Sequence, residues 1–582
     1  MSARRRAGFL LLLALAAASC GDDGGSTTPE STTTSTSAAL PSSTTTTEPA
    51  VTTTTERPLP VEESRSRIVV TGPEEMVFDW TTDRCEDEHI PDIAARAIRT
   101  ADGVVHLTIG HYVTYRMAGP SLDELTTDCS TVLLDSDYDP DPAQFNDSEW
   151  IGSPYTLDGE TIYAIAHNEY RGDTHRGSRP GQCPSAMRFP CLDTSFTMQI
   201  STDGGDTYRD IVEAPGHLVA TLPYTYRDDT VPSGIRQPSN IVRGPDDYFY
   251  LFGNISDQPA EEQWVCAMRT DDLADPGSWR AWNGTAWEGD WLDPYREGEA
   301  TAKEICAPLA PDQLGVSLND GIVFDERLGR WVMVSVTAHP TSADPQWGVY
   351  YATSENLLDW TTRELLLVVP VNQTVADPDN MLVHAYPTII DPDSPSLSFE
   401  TSDGEMYLYL SRFNFGGNSL DRDLLRWPIS VVDEIVPAPD WDFADDDDLG
   451  IDGWRGVNDV APLTVADGAL VIDATGPDPY LEATGLAVPD AYDRLRITMR
   501  HDEDVTSHAQ LFFVTEDDPS WSEAKSVVFD IAGTGAFEDY ELDLSLLAGW
   551  EGTILGIRLD PVADRTTTVL VDRVWFPVAP SD

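Results

Sequence analysis

Lysine is nearly missing from this 582-residue chain: Lys303 and Lys525 are the only two, and arginine supplies the rest of the 36 basic residues. Against 100 acidic residues they leave a formal net charge of −64. Nucleic acid and anionic membrane surfaces are held by Lys and Arg, so neither is expected as a partner. Cysteine is scarce, at seven residues, and no CxxC occurs, which argues against a thiolate zinc site. There is no GxSxG, no GxGxxG after a strand, no HExxH and no P-loop. Lipase, dehydrogenase, zinc-protease and NTPase readings therefore lack support. Long helical periods are almost absent between residues 85 and 434. The apolar run at residues 9–18 is too short to span a bilayer comfortably.

What stands in place of these features is, first, an export signal. Arg4, Arg5 and Arg6 precede the apolar run, and Ala17, Ala18 and Ser19 lead to Cys20. This resembles a lipobox, with Ala17 where Leu is usual, and implies a lipid on Cys20 after cleavage. Residues 26–57 are almost wholly Ser, Thr, Pro and Ala, a composition that cannot bury a core and reads as a flexible spacer. The expected layout is a signal over 1–20, a disordered linker over 21–60, one domain over 61–436 and another over 437–582. The protein is expected outside the cytoplasm as a monomer, anchored by lipid to the bacterial cell membrane. Cys85, Cys129, Cys183, Cys191, Cys266 and Cys306 remain, an even number that suggests three disulfides. Pairing sequence neighbours (85–129, 183–191, 266–306) is one of several arrangements.

Between 85 and 434 one pattern recurs five times: a strand, a tight turn, a second strand. The copies are ADGVVHLTIGH (101–111), LDGETIYAIAH (157–167), PDDYFYLFGN (245–254), LGRWVMVSVT (328–337) and SDGEMYLYLSR (402–412). A third strand follows, with turns such as PSLDEL (120–125), STDGGDTY (201–208), RTDDLADPGSW (269–279) and TSENLLDW (353–360). Radially repeated antiparallel units make a β-propeller, here of five blades; a pair of sandwiches is the alternative. Counting back about ten residues from each turn gives one polar residue at the start of the innermost strand: Asp92, Glu149, Gln237 and Asn319; in the fifth copy an insertion lengthens the gap, and His384 in HAYP is the candidate. The second strands end in His111, His167, Asn254, Thr337 and Arg412. Two polar rings would converge on one mouth, where a rigid scaffold presents a site. Polar residues also end strands simply because strands end in water.

These blades resemble the glycoside hydrolase family 43, 32 and 68 group. DIAARAIRTADGVVHL (92–107) is similar to that group's first blade, whose leading Asp is base or nucleophile. EWIGSPYTLDGETIYAIAHNEY (149–170) looks like its second. STDGGDTY also matches the Asp-box turn of sialidase-like propellers. The resemblance implies hydrolysis of a glycosidic bond in an extracellular or cell-envelope polysaccharide or oligosaccharide. Two departures stand out. QPSNIV (237–242) carries no acid in the third blade, and SLNDGIVF (317–324) offers Asp320 but no Glu in the fourth.

Glycoside cleavage needs two carboxyl groups, one to protonate the leaving oxygen and one to activate water or attack. Asp92 is the candidate base or nucleophile. Glu149 is the candidate acid, its pKa raised by burial beside Trp150. Glu169 and Asp320 are substitutes, and Arg96 is placed to neutralise Asp92 or to hold a substrate carboxylate. His89, His111, Trp150, Tyr155, His167, Gln237, Asn240, Asn319, His384, Tyr386 and Arg412 are candidates for substrate binding. The histidines show no ligand spacing, so no metal set is assigned. No cofactor is required, and the resemblance admits a structural or channel Ca2+. Alternating strands from about residue 440 to LVDRVWF (570–576) read as a β-sandwich jelly roll, similar to carbohydrate-binding-like domains. The fold expected is all-β: a five-bladed β-propeller followed by this sandwich. A non-catalytic glycan-binding lipoprotein is the alternative function, and an interaction scaffold the third.

Overall fold

The computed structural model describes residues 64–578 other than 173, 176–190, 228–231, 259, 339–345, 373, 375–381, 415–417, 419, 436–437, 444–452, 503–505, 517 and 564. The signal, Cys20, the 21–60 linker and Cys183 lie outside the described residues. Strand makes up 49% of the structure and helix 5%, an all-β fold. Among the described residues no helix is long and apolar enough to cross a membrane. Two compact units divide at Val432 and Asp433.

The first unit is built from five antiparallel sets. Each begins with a hairpin: Arg96–Arg99 with Val105–Thr108, Ser148–Thr156 with Ile162–Arg171, and Val242–Arg243 with Phe249–Asp257. Gly321–Asp325 with Arg330–Ala338 and Leu382–Ile390 with Glu405–Asn414 complete the series. A positive φ recurs between the paired strands of every set, at Gly103, Gly159, Asp247, Gly329 and Gly404. That conformation is why Gly and Asp punctuate each copy of the repeat. Third strands follow at Arg116–Gly119, Leu192–Ser201, Glu262–Thr270, Trp347–Ser354 and Arg422–Ile435. The outer strand of the fifth set comes from the other end of the chain: Ser64–Val70 and Glu75–Phe78 both pair with Arg422–Ile435. The second and third sets join into one sheet where Asp193 and Thr194 pair in parallel with Ser233 and Gly234. Disulfides link Cys85 to Cys129 and Cys266 to Cys306.

One side chain is shared by all five sets. Arg96 is 3% exposed, and its guanidinium donates to Ala95 O of its own set (3.3 Å) and Gly152 O of the second (3.0 Å). It also donates to Pro238 O of the third (3.0 Å), Asp320 O of the fourth (2.6 Å) and Thr388 Oγ1 of the fifth (2.9 Å). The expectation that Arg96 faces Asp92 or a substrate is thereby corrected, because its donors are consumed by the scaffold. Sequence makes room for this. The strand register slips between Ile165 and Ala166, leaving Gly152 opposite no partner residue. A Cβ on Gly152 would meet Pro238 Cγ at 2.5 Å, so only glycine lets the neighbouring set come this close.

The second unit has two antiparallel sheets. One orders Thr464–Ala466, Ala469–Asp473, Thr568–Trp575, Arg494–Arg500 and Phe537–Asp543; the other orders Trp454–Asn458, Tyr480–Pro489, Thr553–Asp560, Thr506–Thr515 and Ser526–Ala532. Alternate residues face one shared core, among them Leu470, Ile472, Leu495, Ile497, Leu511, Phe513, Ile557 and Leu559. This is the alternation expected of two sheets packed face to face. The acidic run 445–448 lies outside the described residues.

Arg96→Met is expected to lower the stability of the first unit by at least ~3 kcal/mol, since several buried acceptors lose their donor together. Denaturant unfolding followed by tryptophan fluorescence measures it, and Arg96→Lys should restore little, having no planar fork of donors.

Candidate functional site

Asp92 leads the first set, four residues before Arg96, and is 4% exposed. Its Oδ1 accepts from the Arg422 guanidinium and from the Tyr386 hydroxyl (3.2 Å). Arg422 is 1% exposed and lies over the Phe413 ring at 4.4 Å. Tyr386 sits in a bulge between Ala385 and Thr388 with φ +57°, a strained conformation for an aromatic residue. The bulge presents the hydroxyl to Asp92 and raises the Tyr386 pKa, chiefly by burial. Asp92 Oδ2 has no hydrogen-bond partner among the described residues.

Around that free oxygen, aromatic and acidic groups converge. His111 Nε2 lies 3.6 Å from Asp92 Oδ2, while its Nδ1 meets Glu88 O at 2.9 Å. A proton on Nδ1 satisfies the carbonyl, and burial holds the ring well below the usual histidine pKa, so Nε2 presents a lone pair. The Trp150 ring lies 5.6 Å from His111 and 5.7 Å from His167. His167 Nε2 meets Glu169 Oε1 at 3.2 Å, and Glu169 Oε2 is buried without a partner. Burial pushes the Asp92 carboxyl up to about 6; Arg422 opposes the rise and Glu169 adds to it. Arg236, at the start of the third set, also feels Glu169, and burial lowers it to about 10. Its Nε donates to Asn254 Oδ1 at 3.1 Å. The cluster therefore holds two electrostatically coupled carboxyls, each with one oxygen free, among aromatic rings, imidazoles and arginines.

The other expected residues divide. Glu149 does not join Asp92. It is paired with Asn168 while Trp150 is paired with His167, so Glu149 and Trp150 face opposite sides of their strand. Its Oε1 accepts from Thr197 Oγ1 (2.8 Å) and Gln199 Nε2 (2.9 Å), and its pKa rises to about 8 through burial and the nearby Asp210. Burial is thus the cause expected, but Trp150 is not the wall. Asp320 accepts from Ser335 Oγ and is pushed up to about 7 by burial. Tyr155 donates to Glu400 Oε1 (2.9 Å) at the other end of its strand from Glu149, away from Asp92. Asn240 bonds both N and O of Ile322, and Asn319 donates to Gln237 O (2.7 Å). Those three residues join neighbouring sets through backbone contacts. His89 accepts from Cys85 N (3.1 Å) between Phe78 and Tyr115. His384 meets Pro370 O (3.1 Å), and Arg412 is held by Asp423 (2.8 Å).

Sequence reasoning missed Arg422 and Arg236. Arg422 had a signal: an arginine opening the apolar run Leu424–Leu425 of a third strand must be partnered if buried.

The sequence matches no family model and no curated protein. Solved structures do match. An exo-β-1,3-galactanase from Phanerochaete chrysosporium is 10% identical, covering 88% of this chain and all of that one, with a TM-score of 0.31. A glycoside hydrolase family 43 arabinoxylan arabinofuranohydrolase from Bacillus subtilis is 9% identical over 87% of this chain and 99% of that one, at 0.33. A sucrose-6-phosphate hydrolase from Lactobacillus gasseri is 10% identical over 86% and 93%, also at 0.33. These are distant likenesses, and the site is read from its own residues.

Removing the guanidinium in Arg422→Met should raise the Asp92 carboxyl above its value of about 6, by roughly 1–3 units for a lost adjacent cation. Infrared titration of the protonated carboxyl, with Asp92→Asn as the blank, would reveal the shift.

Proposed function

We propose that the five antiparallel sets are the blades of one propeller and that the second unit is a jelly-roll sandwich. The protein is read as an exported, lipid-anchored glycoside hydrolase acting on an extracellular or envelope polysaccharide. The observation that carries the reading is the pair Asp92 and Glu169: buried, electrostatically coupled, each with one unpartnered oxygen. Arg422 and Tyr386 occupy Oδ1 of Asp92, which leaves Oδ2 to take a proton from water or to attack an anomeric carbon. Glu169 takes the acid role first given to Glu149, with His167 holding its Oε1. The His111 imidazole stands beside Asp92, and the Trp150 ring packs edge-on against it.

A second reading, glycan capture without cleavage, draws on a different observation. The cluster contains two acids where the resembled group expects three, and both are buried.

Aryl glycosides and envelope polysaccharides, offered to the full chain, separate the two. For a hydrolase, Asp92→Asn and Glu169→Gln should each lower kcat by about 10²–10⁴-fold with folding intact. Asp92 works as base only once deprotonated, so kcat/KM should rise with pH and level off above about 6. Saturable binding of one glycan without turnover would establish capture instead.

A further inference from the structure

On the opposite face of the strand that carries Trp150 lies a second buried cluster that the proposed chemistry leaves unused. We propose that Glu149, Asp210 and His217 form a binding site for a borderline divalent cation of the zinc class, separate from the Asp92 cluster.

Three parts of the second set meet here: strand Ser148–Thr156 brings Glu149, strand Arg209–Asp210 brings Asp210, and the residue before strand Leu218–Ala220 is His217. One ligand atom from each lies within 4.8 Å of the other two. His217 is fully buried, and neither ring nitrogen has a hydrogen-bond partner among the described residues. Its Nε2 faces Asp210 Oδ1 at 4.0 Å. A buried imidazole with both nitrogens unsatisfied is costly, and a cation accepting a lone pair relieves that cost.

Charge points the same way. Two carboxyls stand together, and no arginine or lysine side chain bonds either of them among the described residues. The carboxylates are also held in place. Gln199 Nε2 donates to Glu149 Oε1 (2.9 Å) and to Asp210 Oδ1 (2.8 Å), and Thr197 Oγ1 donates to Glu149 Oε1 (2.8 Å). Such outer bonds orient ligands in metal sites.

One imidazole with two carboxylates suits a zinc-class ion, whereas Ca2+ takes about 6–8 oxygens. Two ligands on a common zinc at ~2.1 Å are at most ~4.2 Å apart, so the three donors close by small rotamer changes. The ion would fasten an innermost strand to the outer part of its own set. It would act as a staple, not as a reaction centre.

The test is metal binding by the full chain after dialysis against EDTA, using ZnCl2, MnCl2 and CaCl2 alone as probes. Calorimetry and elemental analysis should find one Zn2+ per chain, with a rise in Tm on loading. Asp210→Asn and His217→Gln should each weaken binding about 10-fold or more, while Asp92→Asn binds as the parent does. Asp210 is the less buried of the pair, so Asp210→Asn decides the matter if His217→Gln does not fold. The proposal is overturned if the folded parent takes up no stoichiometric zinc, if Ca2+ binds in preference, or if folded Asp210→Asn binds zinc undiminished.

Discussion

The first unit is organised around one guanidinium. Arg96 offers a rigid planar fork, and it is met by one acceptor from each of the five antiparallel sets. A flexible cation could not make this set of bonds, because the fork fixes both direction and distance. The five sets must approach to hydrogen-bond range of a single point, and sequence yields there: Gly152 carries no Cβ and bulges from its ladder. The same stretch of chain carries Asp92 four residues earlier, its amide tied to Gly110 O at 3.3 Å. What holds the sets together also fixes where the site's first carboxylate stands.

Strand alternation then gives the second set two separate interiors. Trp150 turns towards His111 and His167, while Glu149, one residue earlier, turns towards Gln199 and Asp210. Both carboxyls are driven up by burial, Asp92 to about 6 and Glu149 to about 8. The difference has a physical origin. Asp92 has Arg422 against it, whereas Glu149 meets neutral donors and feels two neighbouring acids, Asp210 and Asp137.

The repeated hairpin was legible because its cause is local: a positive φ at one turn per set leaves Gly or Asp in the same place each time. Asp92 was legible for the same reason, lying a fixed distance before its turn. What sequence could not supply was facing and long-range partnership. Counting back to a strand start finds Glu149 but not which side of the bulged strand it occupies, and a one-residue difference reverses the answer. Arg422 lies 330 residues from Asp92, beyond the reach of any local pattern. Arg96 was recognised as important but assigned to the wrong neighbours, because its acceptors are mostly backbone carbonyls, which every residue has.

The fifth set is finished by Ser64–Val70 and Glu75–Phe78, which pair with Arg422–Ile435 from the far end of the unit. A chain made from its N-terminus therefore holds its earliest strands unpaired until the last third strand arrives. Contacts of such long sequence range form slowly, because a large loop must close before any bond rewards it. In that interval both the early strands and the incomplete fifth sheet present open edges, the surfaces on which chains pair wrongly with one another. The seam of the fifth sheet is thus the step at which crowding of nascent copies would do most harm.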